Sequence, residues 1–131
     1  MWKILLAVLA LGMPSYAWAG NGQAANKVAP RTHAEFMRGC QIAAQEGQGN
    51  DAVSMIRATS CLEYVRGMLD ILGATGPFKL GKIEICEKGD LPVMRVVRRM
   101  VAIETDNPDI AKDTTDRISV LLALSQLAPC E

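Results

Sequence analysis

Four cysteines (Cys40, Cys61, Cys86, Cys130) and one histidine (His33) are the residues of this 131-residue chain whose types most readily carry chemistry. Thiol redox exchange needs a close pair such as C-x-x-C, and no two of the four lie that near each other. A zinc site needs cysteine or histidine knuckles, which are also absent, and His33 alone cannot complete a ligand set. The remaining chemistry is structural: an even count in a small exported chain reads as two disulfides. Once they form, His33, at the domain's edge, has no thiol partner and reads as a surface residue. Glu63 and Asp70 are two turns apart on one helical face, too far to share a proton. The stretch Gly73-Ala74-Thr75-Gly76-Pro77 lacks the Lys-Ser/Thr ending of a phosphate loop. The residues therefore predict no catalytic activity, no metal and no cofactor.

Export is expected from the first 19 residues. Lys3 precedes the apolar run Ile4 to Met13, and Ala17-Trp18-Ala19 has the small-x-small pattern of a signal cleavage site. The run is shorter than the ~20 apolar residues of a membrane span, so the chain is expected to be cleaved after Ala19 and soluble once mature. Cleavage of 19 of 131 residues leaves 112, enough for one core. Loss of Lys3 leaves 13 Lys and Arg against 14 Asp and Glu, a balance that predicts no nucleic-acid partner and no attraction to an anionic membrane. Trp2, Tyr16 and Trp18 go with the leader, so the core of the mature domain must be aliphatic around Phe36, Tyr64 and Phe78.

Four helices are needed to position the cysteines. Residues 20–31 read as a flexible polar lead, and residues 32–131 as the domain. Thr32 and Glu35 form a capping box before a first helix that buries Phe36, Cys40, Ala43 and Ala44 and runs to about Gly47. Asn50 or Asp51 caps a second, whose apolar arc (Cys61, Tyr64, Val65, Met68, Leu69, Leu72) predicts the most buried helix of the four. Its other edge is the solvated row Thr59, Glu63, Arg66, Asp70. Residues 74–89 read as loop, although Lys82 to Cys86 alternates. Asp90 caps a third helix with Pro92 in its first turn, Val93, Val96, Val97, Met100, Val101 and Glu104 on one side and Arg95, Arg98 and Arg99 on the other. Asn107-Pro108 opens a fourth helix that becomes apolar nearly all round from Ile118 to Ala128, as suits a central or subunit-facing position.

Short turns between these helices predict an all-α fold of two antiparallel hairpins braced by two disulfides. Of the three pairings open to four cysteines, hairpin geometry selects one. Cys86 lies just before the third helix and Cys130 just after the fourth, so antiparallel packing brings them to the same end. Cys40 and Cys61 sit at nearly matching heights across the first hairpin, offset by about 4.5 Å at 1.5 Å rise per residue.

The run Cys61-Leu62-Glu63-Tyr64-Val65-Arg66-Gly67-Met68-Leu69-Asp70, followed by Ile85-Cys86, a Val-rich helix, Asn107-Pro108, Leu121 to Leu124 and a closing Pro129-Cys130, resembles the Rap1a/Tai family of type VI secretion immunity proteins. The resemblance spans Phe36 to Cys130. It implies a periplasmic helical protein, often a homodimer, that binds and blocks a secreted toxin, notably a cell-wall amidase of papain-like type. It also implies structural roles for Tyr64 (core), Gly67 (close helix approach) and Asp70 (end of the polar row). The best partner-binding candidate is the acidic turn bearing Glu104, Asp106, Asn107 and Asp109. A rival reading is a small acid-activated periplasmic chaperone that opens a dimer at low pH, with the apolar end of the fourth helix as its hidden surface.

Overall fold

A computed structural model describes residues 31–45, 51–86 and 90–130. The proposed leader and cleavage site, the lead up to residue 30, the end of the first helix near Gly47 and the cap candidate Asn50 lie outside the described residues. Arg31, the last residue assigned to the flexible lead, is instead held in place: its Nη2 lies 2.6 Å from Asp116 Oδ2.

The described residues are mostly helical, with five helices and one small hairpin: α1 (His33–Ala44), α2 (Ala52–Ala74), β1 (Phe78–Leu80), β2 (Ile83–Ile85), α3 (Val93–Asp106), α4 (Pro108–Asp113) and α5 (Asp116–Leu127). The capping box of α1 is complete: Glu35 N–H donates to Thr32 Oγ1 at 3.2 Å and Thr32 N–H to Glu35 Oε2 at 2.9 Å. At α2 the cap is Asp51, which accepts from Ser54 N–H at 2.9 Å and from the Ser54 hydroxyl at 2.8 Å. These bonds favour the ionised carboxylates. The Thr32 amide holds Glu35 below its ordinary value, and the Ser54 amide does the same to Asp51.

Three local expectations are corrected. Residues 78–85 are not loop but an antiparallel hairpin, with Phe78 opposite Ile85 and Leu80 opposite Ile83. Gly81 turns it with φ +59°, a left-handed conformation that a glycine adopts without penalty, and Lys79 pairs with Glu84 across it. Two strands alone are marginal; β2 gains support from α5, because Ile85 is fully buried and Cys86 N–H donates to Ala128 O at 3.1 Å. The expected fourth helix is two. Thr114 and Thr115 are extended (ψ 145° and 162°); the Thr114 hydroxyl donates to Ile110 O at 2.5 Å, and Thr115 Oγ1 caps the new helix at Ile118 N–H, 3.4 Å away. Competition of Thr hydroxyls with the backbone explains the break. Finally, the N-cap of α3 is Pro92, with no side-chain cap bond, rather than Asp90.

The core is aliphatic around Phe36. Val96, Val97 and Met100 of α3, Val120, Leu121, Ala123 and Leu124 of α5, and Cys61 and Val65 of α2 are all at most 1% exposed. The fifth helix, α5, packs on α3 and β2 and touches α1 and α2, so much of its apolar surface is used inside the domain. By contrast α2 lies on the outside, burying only Ala58, Cys61, Val65 and Leu72 of its 23 residues. Cys40 is bonded to Cys61 (Cα–Cα 5.3 Å) and Cys86 to Cys130 (Cα–Cα 4.9 Å). The first bridge ties α1 to α2, and the second ties the strand end to the chain's exit from α5.

Candidate functional site

The break between α4 and α5 puts Asp116 in the first turn of α5, beside the start of α1. His33, at the first position of α1, reaches both Asp116 and Glu104 near the end of α3. Its Nδ1 is 2.7 Å from Asp116 Oδ1 and its Nε2 is 2.7 Å from Glu104 Oε1. The His33 side chain is 13% exposed and that of Glu104 10%. Two further side chains close the cluster. Ser119 Oγ donates to Glu104 Oε1 at 2.9 Å, and Arg31 donates from Nη1 to Ser60 Oγ at 3.0 Å as well as from Nη2 to Asp116. The Arg31 guanidinium also lies 4.5 Å from the centre of the Phe36 ring, a cation–π distance. Four helices, α1, α2, α3 and α5, and Arg31, two residues ahead of α1, are thereby stitched together.

Hydrogen-bond stoichiometry constrains this cluster. Ionised carboxylates only accept, and a neutral imidazole donates from one nitrogen alone. Two such bonds therefore require one proton more than a neutral ring and two carboxylates possess. Both ring nitrogens are committed to carboxylates, and the Ser119 hydroxyl points to Glu104 rather than to the ring, so the arrangement offers neither a free base nor an activated nucleophile. It is a polar staple. Among the described residues no group of three or more His, Cys, Asp or Glu is disposed to hold a metal ion.

Beside the staple lies an open depression of about 570 Å³ between Arg31, Tyr64, Leu80 and the first turn of α5. Arg31 and Arg117 contribute cations to its lining, and Tyr64, Leu80 and Ile118 contribute apolar surface; the Arg31 guanidinium itself lies 5.8 Å from the centre of the Tyr64 ring.

The residues singled out by sequence do not gather here: Asp70 lies with Asp90, Leu91 and Val93 at the start of α3. Tyr64 is half-buried and meets Phe36 edge to face, with ring centres 5.1 Å apart. Asp70 is exposed, in line with its place in the polar row. Gly67 does not mediate close helix approach: it is exposed, and a Cβ there would meet nothing within 4 Å. The glycine that does so is Gly39 of α1, where a Cβ would lie 2.3 Å from the Arg57 carbonyl oxygen of α2. The acidic turn is divided. Glu104 turns inward to His33, whereas Asp106, Asn107 and Asp109 stay exposed; Asn107 donates its side-chain N–H to Ile103 O at 3.1 Å, closing α3 rather than capping α4, and Asp109 pairs with Lys112 at 2.9 Å.

His33 is no edge residue, and sequence reasoning missed it together with Arg31, Asp116 and Ser119. One signal was present: Glu104 sits on the apolar side of α3, and a carboxylate in that position demands a partner. The partner's identity lay 71 residues away in sequence. Compared with known proteins, the chain matches no family model, no curated protein and no solved structure.

Proposed function

We propose that the protein is an exported binding protein, cleaved after Ala19 and acting in the periplasm as an immunity protein that blocks a toxin delivered by type VI secretion, with a cell-wall amidase as the toxin class. On this reading it works by occupying the toxin's cleft and catalyses nothing itself. The observation that carries the reading is the covalent fixing of the fold by two disulfides. One bridge locks the α1–α2 pair and the other locks the hairpin to the end of α5. A shape fixed before the partner arrives loses little entropy on docking, which is what an inhibitor of a cleft requires. Two structural disulfides also belong with an oxidising, exported environment, and no described helix is long and apolar enough to cross a membrane.

The resemblance to the Rap1a/Tai pattern adds the partner class. Its Cys61-to-Asp70 run forms the middle of α2, and the exposed residues Asp106, Asn107 and Asp109 at the α3–α4 corner remain the first candidates for contact with the toxin. The chaperone alternative draws less support, since the apolar end of α5 that it would expose is occupied by the domain's own core. A cell-protection assay tests the reading: a strain lacking this protein is killed by its own secreting siblings and survives when the full chain is restored. Survival of the deleted strain against every toxin-secreting sibling would end it.

A further inference from the structure

The depression beside the staple has a chemistry that its own residues do not consume. Asp116, its one carboxylate, is engaged through both oxygens: one faces His33 and the other Arg31. Arg31 spends two of a guanidinium's five N–H donors on Asp116 and Ser60 and has a side chain 36% exposed. Arg117, exposed at the rim, has no ion-pair partner among the described residues. Two guanidinium groups therefore border a space of about 570 Å³ that is also lined by Tyr64, Ile118 and the hairpin-tip Leu80, itself 46% exposed. The volume falls within the range of ligand-sized clefts, about 300–1,000 Å³. Guanidinium groups set beside apolar surface disfavour a metal ion, which they repel. The pairing equally disfavours a polyanion, for which the apolar surface offers nothing.

We infer that this depression is a recognition site for a carboxylate carried beside an apolar group, and that its occupant is an acidic side chain of a partner protein flanked by an apolar residue. The inference rests on the proposal that the protein acts by binding another protein. Arg117 and the outward N–H groups of Arg31 meet the carboxylate in the fork geometry that favours Arg over Lys. Tyr64, Leu80 and Ile118 receive the apolar neighbour. Because Asp116 is already engaged through both oxygens, the incoming carboxylate displaces nothing in the staple.

The test is an NMR titration of the oxidised protein with the capped peptide acetyl-Leu-Glu-Leu-amide, its Gln counterpart, and free 4-phenylbutyrate. The Glu peptide is expected to shift the Arg31 and Arg117 side-chain signals and the amides of residues 114–118 saturably. The Gln peptide is expected to bind at least tenfold more weakly. Arg117→Gln, on a surface position that leaves the fold intact, weakens the Glu peptide by about tenfold, the effect of one exposed charge-assisted hydrogen bond; Arg95→Gln, on the exposed side of α3, leaves it unchanged. Equal binding of the Glu and Gln peptides, or no saturable shift from either, overturns the inference, and tighter binding of free phenylbutyrate than of the peptide overturns its protein occupant. Toxin capture by the Arg117→Glu variant separates the two proposals. Full capture by this variant removes the site and keeps the function, whereas no capture by the wild-type protein removes the function while the peptide titration still decides the site.

Discussion

Replacing His33 with Ala strips Glu104 of its ring partner and leaves it only the Ser119 hydroxyl, in a place where its side chain is 10% exposed. Asp116 keeps Arg31 and lies nearer water, at 19% exposure, so it loses less. A buried acceptor deprived of its donor costs about 1–3 kcal/mol, more when charged. A fully buried broken pair costs about 3–5 kcal/mol, and partial exposure lowers that figure here. The sum is about 2.5 kcal/mol. With an unfolding entropy of roughly 2.1 cal/mol/K per residue, this lowers Tm by about 10 °C for a domain of this size. Thermal melts of the oxidised protein followed by far-ultraviolet circular dichroism measure it. Adding Glu104→Gln to His33→Ala removes the stranded charge and is expected to recover about half the loss, a coupling of the size seen for residues in one network. A His33→Ala melt that coincides with that of the parent protein would refute the staple.

Acid tests the helix caps. The lowered folded-state values of Glu35 and Asp51 mean that their contribution is present above the ordinary carboxylate range and is lost as pH falls through the folded values, so Tm drops below about pH 4. The Glu35→Gln/Asp51→Asn variant keeps both caps without the titration and is expected to flatten that slope in melts across the acid range. Gly39→Ala drives a methyl into the Arg57 carbonyl and should cost about 1–3 kcal/mol, whereas Gly67→Ala, in open space on a helix, should gain about 0.5–1 kcal/mol; urea midpoints distinguish the signs. Removing Cys40–Cys61, which closes 21 residues, should cost about 3 kcal/mol and removing Cys86–Cys130, which closes 44, about 4 kcal/mol, read as Cys→Ala pairs in urea denaturation.

What was legible in the sequence was what neighbouring residues decide. Thr32 with Glu35 and Asp51 with Ser54 write their caps within one turn, and the two sides of α3 separate by period alone. The cysteine pairing followed from where helices start and stop. The hairpin was obscured because each strand is three residues long and only Gly81 marks the turn. Apolar spacing continues from Ile110 through Ile118 as if unbroken, so periodicity passed over the two threonines whose hydroxyls end α4 and cap α5. Burial order failed for a tertiary reason: an apolar arc on α2 says that a face is covered, not that the helix is central. The staple was hidden for the same reason, since His33 and Asp116 are 83 residues apart and only the docking of α1 against α5 joins them.

The proposed role of holding and silencing one secreted toxin is tested most directly by capture. The oxidised domain, Gly20 to Glu131, is immobilised and exposed at neutral pH, and again near pH 3, to effectors secreted by the same organism. The account predicts one effector retained at neutral pH in equal molar amount, with its wall-degrading activity abolished in the complex. Retention of many unrelated proteins at acid pH alone, with none at neutral pH, would contradict it and favour a chaperone.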